Sequence, residues 1–438
     1  MKKGIKNPVI FSVLLTGLGL ILAGRGTAQP FTTLHNFVGT DGANPRAALV
    51  ISSNMLFGTT IYGGSGSEGT VFKLKIDGTS FTNIYTFTPT SNGTNSDGAN
   101  PSAALLLSNG VLYGTAEGGG FGGWGTIFRI NTDGTGFTNL HSFTGNDGLA
   151  PAAGLVLSGN TLYGTTRGGR SSNGTVFAIK TDGTAFTNLL TSGGSQAKLT
   201  LSGTTLYGTA AYLFRIETDG TGFTNLHILG PNSPVSDLMI CGNTLYGTVQ
   251  SGGPVYGSVF AVNTDGTDFT NLFTFTYDDS FNGYPDGAYP VGGLELSGHT
   301  LYGTTSGGGT DFAGVVFQVN ADGTCFRIIH NFSGSEGVSP YGGLILSGNM
   351  LYGTTFFGSS DNGTVFSLFL PPQLTIIPSG QSVILTWPTN YSGFMLQSTT
   401  NVLSPVWTTN SPPPVVVNGQ NTVTHSISGT QQFFRLSQ

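Results

Sequence analysis

The sequence predicts an all-β chain: a seven-bladed β-propeller closed by its N-terminal strand, followed by a small C-terminal β-sandwich. Three observations lead there. A unit of four short apolar runs separated by turn residues is copied along the chain, its marks each occur seven times, and one run is displaced from the end of the array to its start. A closed ring explains that displacement, because the first strand then completes the last sheet and removes two free edges.

The unit is clearest from Ala153 to Leu190, AGLVLSGNTLYGTTRGGRSSNGTVFAIKTDGTAFTNLL. Strand a (GLVL) meets a Ser-Gly-Asn turn, strand b (TLYGTT) a Gly/Ser/Asn loop, strand c (GTVFAI) a Thr-Asp-Gly-Thr turn, and strand d is FTNLL. Gly, Asn and Asp supply the positive φ of tight reversals, so neighbouring strands should be antiparallel. The b-strand aromatic recurs at Phe57, Tyr113, Tyr163, Tyr207, Tyr246, Tyr302 and Tyr352. Strand d begins at Phe31, Phe81, Phe137, Phe186, Phe223, Phe269 and Phe326. The first of these precedes any a strand, whereas the last c strand, GTVFSLFL, has no d strand after it. Units of about 49 residues match propeller blades. A parallel β-helix, the alternative, needs shorter coils and no hairpins.

Composition agrees. The 438 residues include 70 glycines and only 8% charged side chains, as expected of turn-rich β structure with Thr, Val, Phe and Tyr in the strands. The net charge of -6 comes without basic blocks, which argues against a nucleic-acid or anionic-membrane partner. Residues 1–28 read as a signal peptide: Lys2, Lys3 and Lys6, an apolar stretch from Val9 to Gly24, then small residues at Gly26-Thr27-Ala28. An uncleaved anchor is the alternative, disfavoured by the short apolar run. Export to the cell surface or exterior follows as an expectation. Cys241 and Cys325 lie in different turns and read as two unpaired small residues, with a disulfide as the lesser alternative.

The combination of Leu-Tyr-Gly-Thr, Gly-Thr-Val-Phe and Asp-Gly-Thr-x-Phe-Thr-Asn-Leu resembles the GloVer tandem-repeat family of exported bacterial proteins. The resemblance runs from Phe31 to Leu370 and implies an exported repeat protein; it supplies no catalytic residues. The chain departs from the pattern in the fourth unit, where the b–c loop is nearly gone (LYGTAAYLFRI), and at Phe326, where Phe-Arg-Ile-Ile replaces Phe-Thr-Asn-Leu. The domains expected are therefore the propeller at 29–370 and the sandwich at 371–438. The latter's TWP, GFMLQSTTNV and FFRL resemble the small β-sandwich that ends many exported proteins of related bacteria. Trp387 and Trp407 are its expected core, and attachment or a mere cap its expected role.

Recognition is expected on the face that varies, where b–c loops and d-to-a connections meet. Its b–c loops offer Phe121, Trp124, Arg167, Arg170, Tyr256 and Phe312, and its longest connection offers Tyr277, Asp278, Asp279 and Tyr284. Aromatic faces beside carboxylates suit sugar rings, and aromatics with Arg equally suit a protein partner. The central channel should hold a cluster of Lys198, Asp237 and Glu295. Its carboxylates could serve glycosidic cleavage, against which a structural Lys198–Asp237 ion pair is the favoured reading. His35, His141, His227 and His330 share one d-strand position, on separate units, and read as packing residues. Asp41, Asp97, Asp147, Asp286 and Glu336, each followed by Gly and then Pro, read as turn caps and not as calcium ligands. No catalytic residue, cofactor or metal site is assigned; an extracellular polysaccharide or surface protein is the expected partner, with a carbohydrate-active enzyme or a purely structural component as alternatives.

Overall fold

The structure is a computed structural model that describes residues 31–169, 174–191, 197–210, 212–229, 236–251, 256–281, 283–358, 360–372, 374–380, 382–388, 394–401, 406–409, 413–417, 420–426 and 432–437. The expected signal peptide lies outside the described residues, as does Arg170. All regular structure among the described residues is β, and no helix there is long and apolar enough to cross a membrane. One compact unit ends at Pro371 and a second begins at Pro372.

The repeat marks have identifiable structural causes. In the first of seven four-stranded antiparallel sheets before Pro371, strands a to d are Val50–Ser52, Met55–Thr60, Thr70–Lys75 and Thr82–Thr86. Gly58 stands opposite Phe72, and a Cβ there would lie 2.5 Å from the Phe72 ring and 2.8 Å from Leu49. The glycine of Leu-Tyr-Gly-Thr thus admits the c-strand phenylalanine, which is fully buried in all seven sheets. Each c–d pair carries a bulge just before the c-strand phenylalanine, as between Val71 and Phe72. The Asp-Gly turn of one sheet packs on the bulged d-strand residue of the sheet before it: a Cβ at Gly134 would lie 3.1 Å from the Ile84 carbonyl. Its φ of +95° also favours glycine.

The sheets are joined by three kinds of contact that recur from one to the next. The hydrophobic core is interfacial: Leu49, Leu56 and Phe72 of sheet one pack with Tyr352 and Val365 of sheet seven. In at least six of the seven b-strand signatures the threonine donates to a carbonyl at the entry to the next a strand, as Thr59 does to Ala103 (3.1 Å) and Thr115 to Ala153 (3.1 Å). Flat rings stack between successive d strands: His35 on Phe81, Tyr85 on Phe137, His141 on Phe186, His227 on Phe269 and Phe273 on Phe326, with centroids 3.5–3.9 Å apart and planes within 5°.

All three contacts are repeated between the last sheet and the first. Phe31–Asn36 pairs with Thr364–Phe369 in the register and with the bulge of the other d strands. His35 of that strand stacks on Phe81 of sheet one at 3.7 Å, and Thr354 donates to the Ala47 carbonyl at 3.2 Å.

Four of the five acid-Gly-Pro connections close on the stacked rings. Asp41 accepts from the Val38 amide (2.9 Å) and meets His35 Nε2 (3.0 Å); Asp147 does the same for the Thr144 amide (2.8 Å) and His141 (3.0 Å). Asp97, nearly fully buried, accepts from the Tyr85 hydroxyl, the Thr88 amide and the Thr88 hydroxyl. Glu336 accepts from the Ser333 amide (3.1 Å) and lies 3.3 Å from His330. These acids and histidines therefore work in pairs at sheet joints, each pair closing a turn.

In the second unit, Thr375–Ser379, Ser382–Pro388, Gln420–Ser426 and Val415–Val417 form one sheet, and Thr408–Thr409, Met395–Thr399 and Phe433–Ser437 another. Trp387, Leu385, Leu396 and Val423 are its core. Trp407 departs from expectation. It is half-buried, with the Arg435 guanidinium 4.3 Å from its ring, so a cation–π contact and not core packing holds it. Cys241 and Cys325 are both free and exposed.

Candidate functional site

Short backbone bridges tie five of the d-to-a connections to a b–c loop, as Ala43 to Tyr62, Ala99 to Gly118 and Ala288 to Gly307. Amide bonds such as Ile76 to the Asn54 carbonyl tie the c–d turns to the a–b turns at the opposite ends of the strands. The b–c loops and the d-to-a connections therefore lie together, and they carry two sites.

The first is the channel lined by the a strands. At the position of Ala48 most sheets carry alanine or glycine, because the strand entries approach closely: a Cβ at Gly343 would lie 3.0 Å from the Gly293 carbonyl. Lys198 and Asp237 are the exceptions, and with Glu295 they line one cavity of about 580 Å³. The expected Lys198–Asp237 ion pair does not form. Asp237 Oδ1 accepts instead from the Lys198 backbone amide at 2.8 Å, while the lysine stem runs over Gly154 of the preceding sheet, where a Cβ would lie 3.3 Å from its Cδ. A carboxylate one strand away reaches the main-chain N–H before it reaches the end of a four-carbon stem. Burial raises the Glu295 carboxyl above its usual range, partly opposed by the Leu346 amide.

A smaller space of about 180 Å³ adjoins Arg46, Arg167, Asp237, Gln250 and Tyr341. Arg167 is drawn into it by Glu117 of the neighbouring sheet, at 3.5 Å, and Glu117 in turn accepts from the Ser102 hydroxyl. Arg46 lies 5.8 Å from the Tyr341 ring centroid. Sequence reasoning missed Arg46, Glu117, Gln250 and Tyr341. Their shared position, just before or after the repeat marks, was the available signal.

The second site lies between sheets five and six. Tyr256 from a b–c loop and Tyr277, Tyr284 and Tyr289 from the long connection form one cluster, with centroids 4.4 Å apart for Tyr256–Tyr284 and 5.2 Å for Tyr277–Tyr284. The Tyr256 and Tyr284 hydroxyls hydrogen-bond, which raises the Tyr256 pKa. Phe312 reaches the same place from the b–c loop of sheet six, its ring against Gly283. Asp278 folds the connection by accepting from the Ser280 amide (2.8 Å) and hydroxyl (2.6 Å), which lowers its pKa. Asp279 beside it is exposed. The structure thus gathers Tyr256, Tyr277, Asp278, Asp279, Tyr284 and Phe312. Phe121 and Trp124 sit elsewhere, in the b–c loop of sheet two, where the Trp124 indole lies over Gly145. The expected aromatic surface is therefore divided.

These features define a class: an all-β tandem-repeat protein of propeller-like architecture with a variable loop face. The chain belongs to the Gloeobacter/Verrucomicrobia repeat family, whose profile matches residues 90–212 and 200–366. No curated protein matches it significantly in sequence. Among solved structures it is similar to a puromycin hydrolase, at 13% identity over 80% of this chain and 59% of that one, with a TM-score of 0.51. An oligogalacturonate lyase in complex with manganese matches at 11% identity over 79% of this chain and 94% of that one, with a TM-score of 0.50. A puromycin-hydrolyzing peptidase from Mycobacterium tuberculosis matches at 14% identity over 82% and 61%, with a TM-score of 0.48. Likeness at such identities concerns the fold alone.

Proposed function

We propose that the chain is an exported, non-enzymatic seven-bladed propeller that binds a polysaccharide through the loop face between its fifth and sixth blades. The signal peptide at 1–28 directs export, and the C-terminal β-sandwich at 371–438 serves attachment. The pairing of Phe31–Asn36 with Thr364–Phe369 supports closure into a ring. The observation that carries the binding reading is the cluster of four tyrosines, with Phe281 and Phe312 72% and 58% exposed beside it. Exposed aromatic faces stack on the C–H faces of pyranose rings, and loops on a rigid frame present them without a large ordering cost. Hydrolysis by the channel carboxylates is disfavoured, since Asp237 is already committed to the Lys198 amide.

A glycan array probed with the full mature chain tests this, with Tyr284→Ala and Phe312→Ala as controls. Binding to a glycan class that both variants weaken at least tenfold supports the reading. Binding indifferent to both substitutions moves the site elsewhere and removes the assignment.

A further inference from the structure

The charge of this chain is divided along its length. Between Arg215 and Arg327 it carries eleven of its 21 acidic side chains and neither lysine nor arginine. That interval contains sheet five, the first three strands of sheet six and the connection between them, so the tyrosine cluster sits in a stretch whose fixed charges are all negative; the last strand of sheet six opens on Arg327. Asp278, Asp279 and Asp286 belong to the same connection as Tyr277, Tyr284 and Tyr289.

Asp286 breaks the rule its counterparts follow. Asp41, Asp97, Asp147 and Glu336 each meet a His or Tyr on the preceding d strand. At Asp286 that place is taken by Phe273, which stacks on Phe326 but has no proton to donate. Among the described residues no hydrogen bond or ion pair reaches the Asp286 carboxylate, and partial burial together with the Asp278 charge raises its pKa. A half-buried carboxylate without a donor would be answered by a cation, and the tyrosine ring faces of the same connection attract one as well. The rings are tilted against each other, by 55° for Tyr256–Tyr284 and 73° for Tyr277–Tyr284. The cluster therefore presents ring faces in more than one direction, and the exposed rings of Phe281 and Phe312 add to its surface.

We propose that this cluster recognises a polysaccharide bearing free protonated amines, its pyranose rings on Tyr277, Tyr284 and Phe312 and its ammonium groups against Asp279 and Asp286. The proposal rests on the polysaccharide reading above and names the chemistry of the sugar. A basic protein would satisfy the carboxylates, yet a sugar polymer also uses the run of exposed ring faces.

Calorimetry with the full mature chain would compare a fully deacetylated glucosamine pentamer with its N-acetylated form, at a pH where the amines are protonated. The deacetylated pentamer should bind at least tenfold more tightly, and raising salt from about 0.05 to 0.5 M should erase most of that advantage. Asp279→Asn and Asp286→Asn should each weaken it about three- to tenfold with the thermal midpoint unchanged, and Tyr284→Phe, which retains the ring, should bind nearly as the parent. Equal affinity for both pentamers would overturn the proposal and leave the polysaccharide reading intact. Binding of polylysine with no binding of either pentamer would overturn both and assign a basic protein partner. Binding of none of the three, or preference that survives both carboxamide substitutions, would also overturn it.

Discussion

Replacing Phe31 by alanine tests whether the first strand is a structural member of the last sheet. The Phe31 ring stacks on His330 at 4.4 Å and on Phe366 at 5.4 Å, and meets Phe332 edge-on at 5.8 Å. It is half-buried. Removing roughly half the transfer free energy of a phenylalanine and two or three aromatic contacts should cost about 2–4 kcal/mol. With about 2.1 cal/mol/K of unfolding entropy per residue across a unit of this length, the thermal midpoint should fall by roughly 3–6 °C. The matched control is Phe186→Ala, which removes the equivalent ring from the middle of the chain, stacked on His141 at 3.9 Å. In a closed ring the two substitutions cost the same to within about 1 kcal/mol; in an open array the terminal one costs far less, since each repeat touches only its neighbours. Thermal unfolding followed by circular dichroism gives both values. A Phe31→Ala midpoint within about 1 °C of the parent, with Phe186→Ala strongly destabilised, would refute closure through this strand.

Other consequences are open to measurement. Burial lowers the pKa of His35, His141 and His330 below 6.5 despite the acids beside them, so the unfolded chain binds more protons as pH falls. Their stabilising contribution is complete above about pH 6.5 and declines below it; urea midpoints from pH 8 to pH 5 should drop, and His141→Phe should flatten that slope. Gly164→Ala would set a Cβ 2.5 Å from the Phe177 ring, an overpacking worth about 1–3 kcal/mol in denaturant melts. Asp97→Ala strands the Tyr85 hydroxyl and two Thr88 donors and should cost about 2–4 kcal/mol, well above the same change at exposed Asp279. Both exposed thiols, Cys241 and Cys325, should react fully with a thiol reagent before any unfolding.

The repeat was readable because its marks answer local demands. Positive φ in the Asp-Gly turns, a glycine opposite each c-strand phenylalanine and a threonine after that glycine recur wherever the sheet recurs. The acid-Gly-Pro turns were legible for the same reason. What the sequence hid depends on side-chain direction between segments far apart in the chain. Lys198 and Asp237 share a register, yet nothing in that register says the lysine stem leans back over Gly154. Arg167 is turned into the channel by a glutamate 50 positions away. Phe312 joins the tyrosines only because consecutive sheets set their loops side by side. The stacked rings between d strands were hidden in plain view: His35, Tyr85, His141, His227, Phe273 and His330 all stand four residues after a d-strand phenylalanine. Apart from Leu190 in the third sheet, that position takes a flat ring whatever its chemical type.

That last requirement explains why a binding surface can arise at one joint without cost to the others. A stacked position needs any planar ring, so phenylalanine can replace histidine while the joint keeps its geometry, as the 3.5 Å Phe273–Phe326 stack shows. The substitution removes the only donor that would have answered Asp286, and the acid is released from closing its turn. The connection after it is longer than elsewhere and is folded by Asp278 in its place. A frame in which each joint is specified by shape leaves polar groups free to change one sheet at a time, and the released carboxylate belongs to the connection that supplies three of the four clustered tyrosines.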